Sequence, residues 1–150
     1  MDVSQVVESA LTLTASDFAQ ANVEVSVDTH ATPLTVHVDP VHLEQVLLNL
    51  LRNALDAGGA SVEVRTALQT GLVAIEVRDT GPGLPDDVRA RLFSPFTTTK
   101  PGGLGLGLSL SHSLVEGMHG TLSGENRPEG GATFTVTLPL ATRAVEAAGA

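Results

Sequence analysis

Two asparagines, Asn49 and Asn53, lie four residues apart in the apolar run at residues 45–57, QVLLNLLRNALDA. Four residues are about one helical turn, so the two amides would stack on one face of a helix. An amide oxygen is a neutral, hard ligand that suits Mg²⁺, an ion that keeps several waters and shares phosphate oxygens. The alternative is a solvated polar edge, and the spacing alone leaves both interpretations open.

Asp79 ends the alternating stretch 72–79 and shares its parity with three apolar residues, which predicts that its side chain points toward the core. A buried carboxylate is costly unless it accepts hydrogen bonds. Gly81 and Gly83 follow at once, and their small size lets the backbone approach a flat ligand. The carboxylate could accept a hydrogen bond from an exocyclic amine such as that of adenine, although the motif by itself favours an Asx-turn that closes the strand.

The glycine-rich stretch 102–108 (GGLGLGL) leads from a long loop, predicted at 94–105, into the start of a helix. Free N–H groups at a helix start suit phosphate. A flexible linker is the alternative, but the alternating leucines need burial, so the loop should dock on the core. Lys100 is the one cation of the loop and could meet a phosphate, while Phe93 and Phe96 would anchor the loop as a lid.

The remaining pattern predicts the elements that position these residues. An Asp39 N-cap with Pro40 after it starts the asparagine helix, and Gly58-Gly59 ends it. Helices are predicted at 3–20, 40–57, 85–92 and 105–118, and strands at 22–28, 34–38, 61–68, 72–79, 121–126 and 132–138, with the first two strands forming a hairpin. The fold class is α/β: a two-layer sandwich with a mixed, mostly antiparallel sheet of about five strands, covered on one face by about three helices.

Composition bounds the class of protein. The 150 residues are 42% apolar, which indicates one domain, at 1–140, with a flexible tail at 141–150. The net charge of −9 argues against nucleic-acid binding, so a bound polyanion would need backbone N–H groups, a metal ion and a few local cations. No apolar run approaches the roughly 20 residues of a membrane span, and no signal peptide is visible. We therefore expect a cytoplasmic, monomeric domain, and the sequence leaves open whether its parent protein is membrane-anchored.

Five stretches together resemble the catalytic ATP-binding domain of sensor histidine kinases, within the GHKL ATPase superfamily, and they occur in the family's order over about the last two-thirds of the chain. They are NLLRNALDA (49–57), DTGPGLP (79–85), LFSPFTTTK (92–100), GLGLGLSLS (103–111) and GGATFTVTLP (130–139). The variant is most similar to kinases of the nitrogen-regulation and dicarboxylate-sensor type. The resemblance implies a Bergerat-type fold that binds ATP and Mg²⁺.

The resemblance also implies roles for individual residues. Asn53 would bind Mg²⁺, with Asn49 as the second catalytic asparagine, and Asp79 would bind adenine in a pocket shaped by Gly81 and Gly83. The phosphate-binding lid would comprise Gly103, Leu104, Gly105, Leu106 and Gly107. Lys100 would supply cationic help to the phosphates, because Asp56 stands where many of these kinases have Lys or Arg. Thr133 would place a hydroxyl near the adenine, although its strand parity is opposite to that of Phe134.

The ATPases of the superfamily place a general-base Glu four residues before the Mg²⁺ asparagine. This chain has Asn49 there, and Glu44 lies roughly 140° away around the helix. The site is thus expected to transfer phosphoryl to an external nucleophile rather than to hydrolyse ATP. None of the five histidines has the phosphoacceptor motif, so the resemblance implies a histidine on a dimerisation domain of the same protein, absent from this chain, and a response regulator receiver domain as partners. The alternative is a non-catalytic adaptor that docks response regulators.

Overall fold

The computed structural model describes residues 1–90, 93 and 104–141. In this part of the chain, nine elements follow one another along the sequence. They are α1 (Val3–Gln20), β1 (Glu24–Asp28), α2 (Pro40–Asp56), β2 (Ser61–Gln69), β3 (Leu72–Asp79), α3 (Asp86–Ala90), α4 (Leu104–Gly117), β4 (Thr121–Asn126) and β5 (Ala132–Pro139).

The strands form a single five-stranded sheet in the order β1-β2-β3-β5-β4. The β2–β3, β3–β5 and β4–β5 pairs are antiparallel, and β1 pairs with β2 in parallel. A parallel pair needs a long crossover, and α2 lies within that connection. The mixed, mostly antiparallel sheet predicted from the sequence is therefore confirmed.

The predicted hairpin of strands 22–28 and 34–38 is wrong. Residues 34–38 form no strand, and β1 takes its hydrogen bonds from β2 instead. The alternation of Leu34 and Val36 does report burial, since the two side chains are 4% and 0% exposed. Their backbone groups bond the start of the chain, where Val3 N donates to Leu34 O at 2.9 Å and Val36 N donates to Met1 O at 3.0 Å.

Helix α2 is built as its sequence predicts. Asp39 is the N-cap, with its Oδ1 accepting from Val41 N at 2.9 Å, and Pro40 occupies the first helical position. Gly58, with φ +80°, follows the C-cap and allows the chain to leave the helix. The predicted apolar stripe is buried at Leu43, Val46, Leu47, Leu50, Leu51 and Ala54. The stripe packs against α1, α4 and β3, so α2 is the central helix of the layer.

One core joins the helices to one face of the sheet. Alternate residues of β2, β3 and β5 are buried in it, namely Val62, Val64, Val73, Ile75, Val77, Phe134, Val136 and Leu138. Charged residues lie between them on the other face, where Arg78 lies 3.0 Å from Glu76 and 3.5 Å from Glu63. This alternation is the pattern of an antiparallel sheet with one packed face and one wet face.

Three predictions fall on residues outside the described part of the chain: the loop at 94–103, the end of the short helix at 91–92, and the tail at 142–150. Within the part that is described, none of the helices combines the length and the apolar character that a membrane crossing requires.

Candidate functional site

Asp79 lies at the end of β3 and is 3% exposed, as its strand parity predicted. Its Oδ1 accepts from Gly81 N at 2.9 Å and from Ala132 N at 3.3 Å. The first bond is the Asx-turn that the sequence suggested as an alternative to ligand binding. Among residues 1–90, 93 and 104–141, no group donates to the other carboxylate oxygen, Oδ2. The turn therefore uses one oxygen of the carboxylate and leaves the second as an acceptor.

The turn after Asp79 has no room for side chains at its glycines. A Cβ on Gly81 would lie 2.7 Å from Ala57 O and 2.9 Å from the Ala57 Cβ. Gly83 has φ +84°, a conformation that glycine adopts without strain. Because Ala57 follows Asn53 by one helical turn, these contacts place the end of α2 against the aspartate turn. Asn53 and Asp79 are 26 residues apart in the sequence, and their two motifs thus meet at the end of the central strand β3.

Asn49 and Asn53 are both half-buried, whereas Asp56 at the end of α2 is exposed. The face of α2 that carries the two asparagines, its polar flank, therefore borders the packed core. Asn49 Nδ2 donates to Ser111 Oγ on α4 at 2.9 Å, and Ser111 is fully buried. The flank of α2 is thus tied to α4 at Asn49 and to the aspartate turn at its C-terminal end.

Glu44, the carboxylate that precedes the asparagines on α2, faces α1. Its Oε2 accepts from Ser9 Oγ of α1 at 2.6 Å. This bond agrees with the helical-wheel prediction that Glu44 and Asn53 lie on different faces of α2.

Thr133 and Asp79 lie on opposite faces of the sheet. Thr133 is half-exposed and pairs with Arg78 in the β3–β5 ladder, while its neighbours Ala132 and Phe134 are buried. The β5 residue that approaches Asp79 is Ala132, through its backbone N–H. The hydroxyl of Thr133 consequently belongs to the wet face and not to the site around Asp79.

The lid prediction lies largely outside the described residues. Lys100, Phe96 and Gly103 fall there, and so do the side chains of Leu104 and Leu106. The backbone of α4 begins at Leu104, so Gly105 and Gly107 belong to its first turns. This start agrees with the helix predicted from residue 105.

Phe93 is described, and its ring stacks on His112 of α4 with centroids 4.7 Å apart and an interplanar angle of 12°. Phe93 therefore contacts α4 at the residue that follows the buried Ser111. Phe93 also packs against the main hydrophobic core, as expected for an anchor at the start of the lid.

Sequence reasoning missed Ser111, and a signal for it existed. The buried residues of α4 and its end recur at Leu108, Ser111, Val115 and Met118, at intervals of three and four. A serine within that apolar stripe is a buried hydroxyl, which needs a partner. Asn126 and Arg127 contact the aspartate turn, and nothing comparable in the sequence indicates them.

The sequence profile of the family described as histidine kinase-, DNA gyrase B-, and HSP90-like ATPase matches residues 38–142. The chain belongs to this family. The match spans α2, the aspartate turn, α4 and β5, and so contains the whole candidate site. It also contains all five motifs that carry the resemblance to sensor histidine kinases.

Two similar proteins are C4-dicarboxylate transport sensor proteins, the type that the motifs predicted. DctS of Rhodobacter capsulatus is 42% identical over 146 residues, covering 93% of this chain and 22% of that protein. DctB of Rhizobium meliloti (strain 1021) is 43% identical over 143 residues, covering 93% of this chain and 23% of that protein. The chain thus spans less than a quarter of the length of these relatives.

The fold matches that of solved histidine kinases. The nucleotide-free catalytic domain of histidine kinase ThkA has a TM-score of 0.84 at 29% identity, with 93% of each chain covered. A structure of ThkA in complex with the response regulator protein TrrA has a TM-score of 0.80 at 27% identity, with 93% of this chain and 40% of that chain covered. The chain therefore has the fold of a histidine kinase catalytic domain, the ATPase domain of sensor kinases.

Proposed function

We propose that this domain binds MgATP and presents its γ-phosphoryl group to a histidine on a dimerisation domain outside this chain. The observation that carries the proposal is the nearly buried Asp79 carboxylate. One oxygen is satisfied by two backbone N–H groups and the other has no donor within the described residues. This second oxygen is available to accept a hydrogen bond from a ligand, and the exocyclic amine of adenine would supply the donor.

The turn beside Asp79 suits a flat base. At Gly81, where a Cβ would meet Ala57, and at Gly83, with its positive φ, only glycine keeps the backbone this compact. Asn53 lies on the polar flank of α2, one helical turn before Ala57, the residue that contacts the aspartate turn. Its neutral amide oxygen would hold Mg²⁺ together with phosphate oxygens. When bound, the ion would neutralise charge on the phosphates.

Transfer rather than hydrolysis is supported by what surrounds Asn53. Asn49 carries an amide, which bonds Ser111, and the carboxylate of Glu44 bonds Ser9 of α1. Neither residue therefore places a carboxylate beside Asn53. In the transfer, the bond between the γ-phosphorus and the bridging oxygen to the β-phosphate breaks, and a bond to a histidine nitrogen forms while ADP leaves. The domain contributes binding, positioning and water exclusion, which supply most of the catalysis in phosphoryl transfer.

Two partners are supported by the similarity to histidine kinases. The catalytic fragment needs the histidine-bearing dimerisation domain of its own protein, and we propose that a response regulator receiver domain takes the phosphoryl group onward. The existence of a ThkA complex with a response regulator supports the second partner. Phosphoryl transfer to the histidine and onward transfer to the receiver domain would both occur in the cytoplasm. The lid residues Lys100 and 103–107 would close over the phosphates.

Binding is tested first by titrating the domain with a non-hydrolysable ATP analogue and Mg²⁺. We expect saturable binding below millimolar nucleotide, loss of binding in Asp79→Asn, and unchanged binding in Asp17→Asn, which removes a charge from an exposed site on α1. Absence of binding by the wild-type domain at millimolar nucleotide would refute the kinase proposal and favour the non-catalytic adaptor.

Transfer is tested by mixing the domain with the dimerisation hairpin of its own protein and labelled ATP. Label should appear on the hairpin with the wild-type domain and with Asp17→Asn. It should be absent with Asn53→Ala and with Asp79→Asn. Full transfer by Asn53→Ala would show that the proposed metal position is misassigned.

A further inference from the structure

The last residue of β4 and the turn after it, together residues 126–131, are called the β4–β5 turn. This turn bonds both ends of the segment that follows Asp79. At one end, Arg127 Nη1 donates to the backbone oxygen of Asp79 at 2.9 Å. At the other end, Asn126 Oδ1 accepts from Leu84 N at 2.6 Å and Asn126 Nδ2 donates to Leu84 O at 3.0 Å. Three side-chain bonds from this β4–β5 turn therefore fasten residues 79 and 84.

The segment between those two points needs such a restraint. It contains Gly81 and Gly83, which have more backbone freedom than any other residue. Asp79 Oδ1 accepts from Gly81 N and Ala132 N, and Thr80 Oγ1 bonds the backbone of Ala60 and Ser61. These bonds restrain the start of the segment. The bonds at residues 79 and 84 add to them by restraining the glycines that follow, whose freedom would otherwise let the carboxylate change its direction. The direction of Asp79 Oδ2 is what decides whether it meets a base.

Packing supports the same arrangement. Gly131, with φ +95°, lies so close to Asp79 that a Cβ there would come within 2.0 Å of the Asp79 backbone oxygen. A Cβ on Gly83 would lie 2.9 Å from Asn126 Oδ1. The backbone of Gly131 thus lies directly against the backbone of Asp79, and the side chain of Asn126 lies directly against Gly83.

Arg127 is itself held in place. Its side chain is 18% exposed, and its Nε and Nη2 donate to Glu129 Oε1 at 3.2 and 2.8 Å. The remaining donor, Nη1, is thereby directed at the Asp79 carbonyl. A guanidinium with its fork occupied by a carboxylate loses little further freedom when it makes the third bond.

We propose that Asn126 and Arg127 are positioning residues for base selection. They fasten the ends of the segment 79–84 so that Asp79 Oδ2 faces the exocyclic amine of the nucleotide. This inference rests on the proposed nucleotide binding and extends it to two residues that do not touch the base. Its measurable consequence is selectivity for a base that carries the amine.

The test compares two probes with each variant: ATP, and purine riboside triphosphate, which lacks the exocyclic amine, both with Mg²⁺. The wild-type domain should bind ATP about tenfold more tightly, the value expected for a hydrogen bond to a charged group. In Arg127→Ala and in Asn126→Ala the ratio should fall to about twofold, mostly through weaker ATP binding. Arg127→Lys keeps the charge but loses the fork to Glu129 that directs the donor, and it should lower the ratio as well.

Glu125→Gln is the matched control, because Glu125 is an exposed residue of β4 next to Asn126. Its ratio should equal that of the wild type. If Arg127→Ala does not fold, Asn126→Asp takes its place: it keeps an acceptor for Leu84 N, loses the donor to Leu84 O, and should also lower the ratio.

The outcomes separate the two proposals. A wild-type domain that binds ATP selectively, with variants at Asn126 and Arg127 that keep the full ratio, overturns the positioning role and leaves nucleotide binding intact. Equal loss of affinity for both probes overturns it as well, because this is the result of a purely structural role. A wild-type domain that binds neither probe overturns both proposals.

Discussion

The bond between Asn49 and Ser111 permits a quantitative prediction about how α4 is joined to α2. The Asn49 Nδ2 to Ser111 Oγ distance is 2.9 Å, and Ser111 is fully buried. Ser111→Ala removes the acceptor of this bond. A typical buried hydrogen bond contributes about 1 kcal/mol net, and the cost of removing one partner reaches about 1–3 kcal/mol. We therefore expect the free energy of unfolding to fall by about 1–2 kcal/mol.

Serine-to-alanine changes in a helix also add helix propensity, and Ser113→Ala isolates that effect. Ser113 lies on the same helix and is exposed. Its replacement should leave the free energy of unfolding within about 0.5 kcal/mol of the wild-type value. The difference between the two alanine variants then measures the loss of the buried bond alone.

The assay is urea unfolding of the wild type, Ser111→Ala, Asn49→Ala and the double variant, combined as a double-mutant cycle. The cycle should give a coupling energy of about 1 kcal/mol between the two positions. In thermal unfolding, each kcal/mol should lower Tm by about 2–4 °C. A coupling energy below about 0.3 kcal/mol would refute the claim that this bond joins α2 to α4.

Two further predictions concern the β4–β5 turn. Gly131→Ala brings a Cβ to 2.0 Å from Asp79 O and should destabilise the domain by about 2 kcal/mol or more. Gly130→Ala meets no atom within 4 Å and should cost about 1 kcal/mol from its positive φ alone; equal costs in urea unfolding would contradict this account. The hydrogen bond from Arg127 lowers the pKa of Glu129 below its usual value of 4.5, so the bond favours folding above that pH and the contribution is lost as pH falls through the lowered pKa. Glu129→Gln should therefore lower stability at pH 7, and its difference from the wild type should shrink as the pH falls below 4.5; a difference that does not shrink would show that the ion pair is not its cause.

The sequence by itself determined the central helix and the orientation of the aspartate. The start of α2 at Asp39-Pro40 and its end before Gly58 follow from local capping chemistry, and its apolar stripe follows from the helical period. The burial of Asp79 follows from the two-residue period of a strand. These features depend on neighbours along the chain, so one sequence suffices to predict them. The order of the motifs was likewise enough to indicate the family.

The backbone pairing of residues 34–38 was decided only in the tertiary structure. Alternation shows that Leu34 and Val36 are buried, but it does not show which backbone pairs with them. The start of the chain takes those hydrogen bonds, and β1 pairs with β2 across α2. A pairing partner is a property of the whole sheet, since any strand of suitable parity satisfies the local pattern.

The supports of the site were equally beyond the sequence. The Asn49–Ser111 bond joins residues 62 apart, and the bonds from Asn126 and Arg127 to the aspartate turn join residues 42 and 48 apart. A polar side chain in a turn is ordinary in sequence, and its partner emerges only when two connections pack together. Motifs therefore identified the residues proposed to contact nucleotide, whereas the residues that orient them became visible only through long-range hydrogen bonds and the close approach of Gly131 to Asp79.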